Sequence, residues 1–280
     1  MCSTCGCSDG AETRVTVFSG KHASHSHSDN HHDHSHDGHE HHHHDHDEAH
    51  EHPHEHRSSR TLQLEQDILA KNNHLAEHNR GWIEGREIVA FNLMSSPGAG
   101  KTSLLERTIR DLGAEIPICV VEGDQETTLD AERIGATGCR AVQINTGSGC
   151  HLDAAMLADA LKRLKPPSGS VLMIENVGNL VCPALFDLGE SARVVIASVT
   201  EGEDKPLKYP HMFRAADVMI LNKIDLLPYV PFNVDRCIGY ARQINPALKV
   251  LQLSALKGDG MDEWYAFLRE KKAAAIEVEH

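Results

Sequence analysis

The chain has 280 residues and a formal charge of −14, which excludes a general nucleic-acid binder, because no basic stripe is there to neutralise phosphates. It has no run of about 20 apolar residues and no apolar signal-peptide core at its start, so no membrane span is expected. A cytoplasmic location is expected, and in that reducing compartment the eight cysteines point to metal binding more than to disulfides.

Residues 1–10 place Cys2, Cys5 and Cys7 in a C-x-x-C-x-C spacing, with Gly6 allowing a tight backbone fold. Three thiolates this close can wrap one soft or borderline cation, with the terminal amine or a histidine as fourth ligand. The alternative is a tail with reactive thiols. Residues 11–60 read as a disordered, histidine-rich, metal-binding tract. Positions 22–56 hold 17 of the 22 histidines, interleaved with Asp, Glu and Ser, and too few large apolar residues to pack a core. Neutral imidazoles ligate nickel, zinc and copper, so buffering of several ions is expected, weakening as the imidazoles protonate near pH ~6.

Residues 61–85 read as an amphipathic helix leading into the main domain. Leu64, Ile68 and Leu75 form its apolar face, and Gly81 and Gly85 end it. His74 and His78 lie one turn apart, on the polar face or as a chelating pair. From residue 86 to 280 apolar strands (88–94, 116–122, 141–145, 171–176, 194–199, 218–222 and 250–253) alternate with helical patterns (101–112, 126–135, 152–164, 235–244 and 261–272). The fold class is therefore α/β, a mostly parallel sheet with helices on both faces. Ligands in such sheets gather beyond the carboxyl ends of the strands.

After the first of these strands comes Ser95-Ser96-Pro97-Gly98-Ala99-Gly100-Lys101-Thr102, a phosphate loop of the G-x-x-x-x-G-K-[ST] type with Ser95 in place of the leading glycine. Gly98, Ala99, Gly100 and the amides running into Ser103 can approach phosphates closely, at the positive end of a helix. Lys101 is expected on the β- and γ-phosphates and Thr102 on Mg²⁺. Asn222-Lys223-Ile224-Asp225 offers guanine a carboxylate, Asp225, for N1–H and N2–H₂, a pattern adenine lacks. Asn222 is expected beside the base, Lys223 over the ring, and Ser254-Ala255 behind it. Glu175, in Glu175-Asn176-Val177-Gly178, can hold Mg²⁺, and the Gly178 N–H can sense a γ-phosphate. Asp124 is either a second magnesium partner or a helix N-cap. No arginine finger or water-positioning glutamine can be assigned, so hydrolysis by the chain alone is expected to be slow.

A second metal site is expected at Cys150, His151 and Cys182, a sulfur–imidazole set suited to Ni²⁺ or Zn²⁺. The competing reading is buried structural cysteines, as for Cys119, Cys139 and Cys237. Location favours the metal. Cys182 is four residues past Gly178, so a γ-phosphate response at Gly178 would reach the cage.

The motifs C-x-x-C-G-C, SSPGAGKT, EGDQ, NTGSGCH, IENVGNLVCPA, SVTEGEDKPLKYP and LNKIDLLPY together resemble the hydrogenase nickel-incorporation GTPases of the HypB family, in the dimerising branch of phosphate-loop GTPases. The resemblance covers about residues 60–272 and the first seven. It implies GTP hydrolysis to GDP with Mg²⁺, a GTP-dependent homodimer, and nickel delivery to the large-subunit precursor of [NiFe]-hydrogenase with a HypA-type chaperone. It also implies high-affinity nickel at Cys2, Cys5 and Cys7, and a metal at Cys150, His151 and Cys182. Lys205 and Lys208 fall in a family motif and receive no role. Two alternatives stay open: a GTPase serving urease, whose Cys-Pro-His motif is absent here, and a nickel or zinc store with regulatory nucleotide binding.

Overall fold

The computed structural model describes residues 14–18, 55–125, 128–147 and 149–277. Cys2, Cys5, Cys7 and the histidines at 22–54 lie outside the described residues. In chain order the elements are β1 (Arg14–Phe18), α1 (Glu55–Glu84), β2 (Val89–Ser95), α2 (Lys101–Leu112), β3 (Ile118–Asp124), α3 (Leu129–Ala136), β4 (Arg140–Asn145) and α4 (Ala154–Leu164). There follow β5 (Val171–Glu175), β6 (Ala192–Ser198), α5 (Lys205–Lys208), α6 (Pro210–Ala215), β7 (Val218–Asn222), α7 (Val234–Ile244), β8 (Lys249–Gln252) and α8 (Met261–Glu277).

The eight strands form one sheet in the order β1-β4-β3-β5-β2-β6-β7-β8. All pairs are parallel except β1 with β4. The central strand β2 shows why the apolar runs read as fully buried. Val89, Phe91 and Leu93 enter one core with Leu104, Ile109, Trp264 and Phe267 from α2 and α8. Ala90 enters the opposite core with Ile83, Leu157 and Leu161 from α1 and α4. A third cluster joins β6 and β7 to α6 and α7 through Phe213, Met219, Leu221 and Cys237. Each face of the sheet thus has its own cover, and the strand ends are left to carry the site.

The structure departs from expectation at the amino-terminal side. Arg14–Phe18, inside the tract expected to lack structure, is an antiparallel edge strand, and helix begins at Glu55 rather than 61. Gly81 does not end α1, which runs on to Glu84. The expected apolar face is also wrong: Leu64 and Ile68 are exposed, and the buried positions among the described side chains are Asn72, Ala76, Asn79 and Ile83. Polar side chains occupy the inward face because their amides bond to backbone, as described below, so hydrophobic periodicity points to the wrong stripe. Two other helices start late, α3 at Leu129 and α4 at Ala154.

Candidate nucleotide and metal sites

The phosphate loop leaves β2 and enters α2 through two left-handed glycines, Gly98 (φ 76°) and Gly100 (φ 100°), conformations that L-residues with a Cβ resist. Gly100 is further fixed by space, since a Cβ there would lie 2.5 Å from Asn222 Nδ2. Lys101 Nζ donates to Ser95 Oγ at 3.0 Å, so the serine in the leading position tethers the lysine beside the loop. A cavity of ≈ 430 Å³ opens in front, lined by Gly98, Lys101, Thr102, Asp124, Glu175 and Gly178 among others, and Ser103 also faces it.

Behind the loop lies a carboxylate cluster. Thr102 Oγ1 donates to Glu175 Oε1 at 2.8 Å. Glu175 stands in register with Glu122 on the neighbouring strand, and both are buried with one oxygen each (Oε2) lacking a hydrogen-bond partner among the described residues. Burial pushes the Glu175 carboxyl up to about 7, against the pull of the Lys101 charge and the Thr102 bond. Burial, with the Glu175 and Asp124 charges adding to it, pushes Glu122 up to about 9. Asp124 ends β3 facing the cavity. It is not the cap of α3, whose N-cap is Thr128. Orphaned carboxylate oxygens beside a threonine hydroxyl are the donor set of a hard divalent cation, so these residues fit Mg²⁺. Glu122 had no sequence signal beyond its place in Glu122-Gly123-Asp124; only its burial beside Glu175 marks it.

The base-side motif is more engaged with the protein than expected. Asn222 donates from Nδ2 to the Ala99 carbonyl at 2.9 Å. Its Oδ1 accepts from Lys223 N at 2.8 Å and Ala255 N at 3.1 Å. Its amide therefore joins the phosphate loop to the Ser254-Ala255 segment. Lys223, left-handed at φ 63°, reaches the Gly98 carbonyl at 2.7 Å. Asp225 lies in the 3-10 turn Ile224–Tyr229, half-buried, and outside the residues that line the cavity. Lys205 and Glu201 were given no role by sequence. Lys205 Nζ donates to Ser96 Oγ at 2.7 Å and pairs with Glu201, which also accepts from Ser96 Oγ and, at 2.9 Å, from Ser198 N. A half-buried ion pair thus braces the phosphate loop. Lys208, by contrast, pairs with Asp204 at the exposed surface.

Cys150, His151 and Cys182 do converge. The two Sγ atoms are 3.0 Å apart, Cys150 Sγ is 3.6 Å from His151 Nδ1, and one ligand atom from each lies within 4.8 Å of the others. Both cysteines are buried, and His151 stacks on Phe186 at 3.9 Å between centroids. Burial lowers the His151 pKa and so favours the neutral ligating form, while the Asp153 charge opposes it. Cys150 and His151 occupy the loop before α4 rather than its first turn, and Cys182 opens the 3-10 turn Cys182–Ala184. Cys119, Cys139 and Cys237 are buried elsewhere, their thiols pushed up by burial, to about 12 at Cys139 and about 11 at Cys237. These are the inert packing cysteines that the sequence suggested. His74 and His78 sit exposed on α1 with ring centroids 4.8 Å apart.

Short covalent and hydrogen-bonded steps link cage and phosphate loop. Gly178 packs on the loop so closely that a Cβ would lie 3.1 Å from Pro97 Cγ and 3.3 Å from its Cα. Asn176, one residue past Glu175, accepts from Leu152 N at 3.2 Å with the same Oδ1 that takes Val177 N at 3.0 Å. Leu152 directly follows His151, and it fills the space that Gly123 leaves open, where a Cβ would come within 2.8 Å. On the other side, Gln125 Nε2 reaches Gly149 O at 3.3 Å, next to Cys150.

A family model for the CobW/HypB/UreG nucleotide-binding domain matches residues 89–252. The hydrogenase maturation factor HypB of Azotobacter vinelandii is 58% identical over 218 residues, covering 78% of this chain and 72% of that protein. The crystal structure of the hydrogenase maturation factor HypB from Archaeoglobus fulgidus superposes with a TM-score of 0.68 at 43% identity, covering 72% of this chain and 99% of the other. HypB from Helicobacter pylori, crystallised in complex with nickel, gives a TM-score of 0.68 at 38% identity, covering 73% and 96%.

Proposed function

This chain belongs to the HypB hydrogenase maturation factors of the CobW/HypB/UreG nucleotide-binding family, and from that premise we propose that it hydrolyses GTP to gate the release of nickel during [NiFe]-hydrogenase maturation. Its own residues supply the steps. Backbone amides from Gly98 to Ser103 and the Lys101 ammonium bind the phosphates and hold the terminal phosphoryl group in line for water. Asp225 selects guanine by accepting from N1–H and N2–H₂, while Asn222, Lys223, Ser254 and Ala255 support that pocket. Thr102, Glu175 and Asp124 would hold Mg²⁺, which when bound offsets charge developing on the phosphoryl oxygens. Arg133 lines the cavity but is turned to Glu106 and Asp130, so turnover by the chain alone is slow.

One observation supports the coupling. A single stretch, Glu175 to Cys182, begins on the threonine of the phosphate loop, packs Gly178 on Pro97, and ends in the metal cage. Loss of the γ-phosphate frees Gly178, and the thiolate of Cys182 shifts relative to Cys150 and His151. A coupling of about 1–3 kcal/mol changes nickel affinity on the order of 5–150-fold, enough to hand an ion on. The thiolates Cys2, Cys5 and Cys7 and the histidine tract collect and store nickel upstream, and zinc can compete at the cage. The working form is a GTP-dependent homodimer that acts in the cytoplasm with a HypA-type chaperone on the hydrogenase large-subunit precursor. Among the described residues no helix is long and apolar enough to cross a membrane.

The test is transfer. Nickel-loaded chain is mixed with metal-free large-subunit precursor, and nickel in the precursor is counted over time. Transfer should be fast with GTP and slow with GDP, and slow in Lys101→Ala with either. Equal transfer with and without GTP refutes the reading.

A further inference from the structure

The inward face of α1 buries two asparagines, at 6% and 5% exposure for Asn72 and Asn79. Simple docking of a helix needs aliphatic side chains there, and burying amides is costly unless every polar atom is matched. Asn72 engages both its Oδ1 and its Nδ2, and Asn79 donates twice from its Nδ2. Asn72 Oδ1 accepts from Ala154 N at 2.9 Å while its Nδ2 donates to Asp187 O at 2.8 Å. Asn79 Nδ2 donates to Ala154 O at 2.8 Å and to Leu188 O at 3.0 Å. Each asparagine therefore bonds both segments at once. Ala154 follows His151 by three residues, and Asp187 and Leu188 follow Cys182 by five and six. Arg80 adds an ion pair in which its Nη2 is shared between the two Asp187 carboxylate oxygens, at 2.8 and 2.9 Å. Gly189 completes the fit. It is left-handed at φ +87°, and a Cβ there would meet the α1 backbone at Ala76 O, 2.5 Å away.

We propose that Asn72 and Asn79 are positioning residues for the metal cage: α1 is a strap that sets the separation between the segment bearing Cys150 and His151 and the segment bearing Cys182. The inference rests on the reading of those three residues as a nickel site. The strap lies on the α4 side of the sheet, away from the phosphate loop, and α1 is the element that continues from the histidine tract. Displacement of α1 alters nickel affinity without touching nucleotide chemistry. This makes the amino-terminal region a second input to the cage, beside the nucleotide.

The experiment uses the full chain with Cys2, Cys5 and Cys7 changed to serine. Cys150 and Cys182 are then, among the described residues, the thiol pair that converges with an imidazole, whereas Cys119, Cys139 and Cys237 belong to the hydrophobic clusters. Nickel is titrated and the nickel–thiolate charge-transfer absorption is read, a signal to which the imidazoles of the tract contribute no sulfur. Asn72→Ala, Asn79→Ala and the double variant are compared with this parent. The double variant should bind nickel about tenfold more weakly. GTP turnover should be unchanged, and so should the ratio of nickel affinities between GDP and a non-hydrolysable GTP analogue. The single variants, which each keep one bridge, decide the matter by a smaller weakening if the double variant does not fold. Unchanged affinity with a full charge-transfer band overturns the strap. Parallel loss of turnover, melting temperature and nickel affinity reduces it to a packing contact and also overturns it. A parent with no charge-transfer band removes the nickel site itself, and the strap with it.

Discussion

Glu122 offers the sharpest energetic test, because the structure buries a carboxyl that it only half satisfies. The residue is 2% exposed, one oxygen lacks a partner among the described residues, and burial beside Glu175 and Asp124 lifts its pKa from an ordinary 4.5 to about 9. In the metal- and nucleotide-free protein the native state therefore holds a proton that the unfolded chain releases. With the folded value raised, the unfolded state binds fewer protons, so stability falls as pH rises from 4.5 towards 9, by ~1.4 kcal/mol per pH unit. At pH 7 this one group costs the fold up to about 3 kcal/mol. Glu122→Gln removes the ionisation and leaves an amide with one unmatched group, which returns about 1 kcal/mol of that. The variant should gain about 2 kcal/mol at pH 7, with a melting temperature raised by about 5 °C. Urea denaturation in chelator at pH 6 and pH 8 measures it, and the gap between variant and parent should widen with pH. A gap that is constant, or of opposite sign, refutes a protonated buried Glu122. Mg²⁺ with GDP should narrow the gap, since a cation beside the cluster favours the carboxylates.

Other outcomes follow from single contacts. Gly178→Ala places a methyl 3.1–3.3 Å from Pro97, and should lower GTP turnover about tenfold or more with little change in melting temperature. Asp225→Asn replaces a double acceptor by one acceptor and one donor, so competition binding should show GTP weakened about a hundredfold and a xanthine nucleotide favoured over GTP. Lys205→Ala removes one of the two partners of Ser96 Oγ and leaves Glu201 without its ion pair. It should weaken GTP binding several-fold, about 1 kcal/mol for a partly exposed pair, measured by calorimetry.

Much of the fold could be read from runs of β-branched and aliphatic residues, because parallel strands buried on both faces are apolar throughout. The phosphate loop, Asn222 to Asp225, and the meeting of Cys150, His151 and Cys182 were likewise legible, since each sits where a strand ends. What the chain hides is burial of polar groups. Asn72 and Asn79 look like a helix's wet face and form its dry one, while Leu64 and Ile68 look like the core and face solvent. Glu122 reads as one acid among several until register sets it against Glu175. Arg14–Phe18 is too short, and too close to a polar tract, for alternation to reveal an edge strand; its partner β4 supplies the reason it forms. The brace from Lys205 to Ser96 spans 109 positions, a distance over which no local pattern operates.

The central claim is that the occupant of the phosphate loop sets the grip of the sulfur–imidazole cage. Nickel titration of the full chain lacking Cys2, Cys5 and Cys7, read by thiolate charge transfer with GDP and then with a non-hydrolysable GTP analogue, tests it most directly. Affinities should differ on the order of 5–150-fold between the two nucleotides, and the band should be lost in Cys182→Ala. Identical nickel affinities in the two nucleotide states would contradict it.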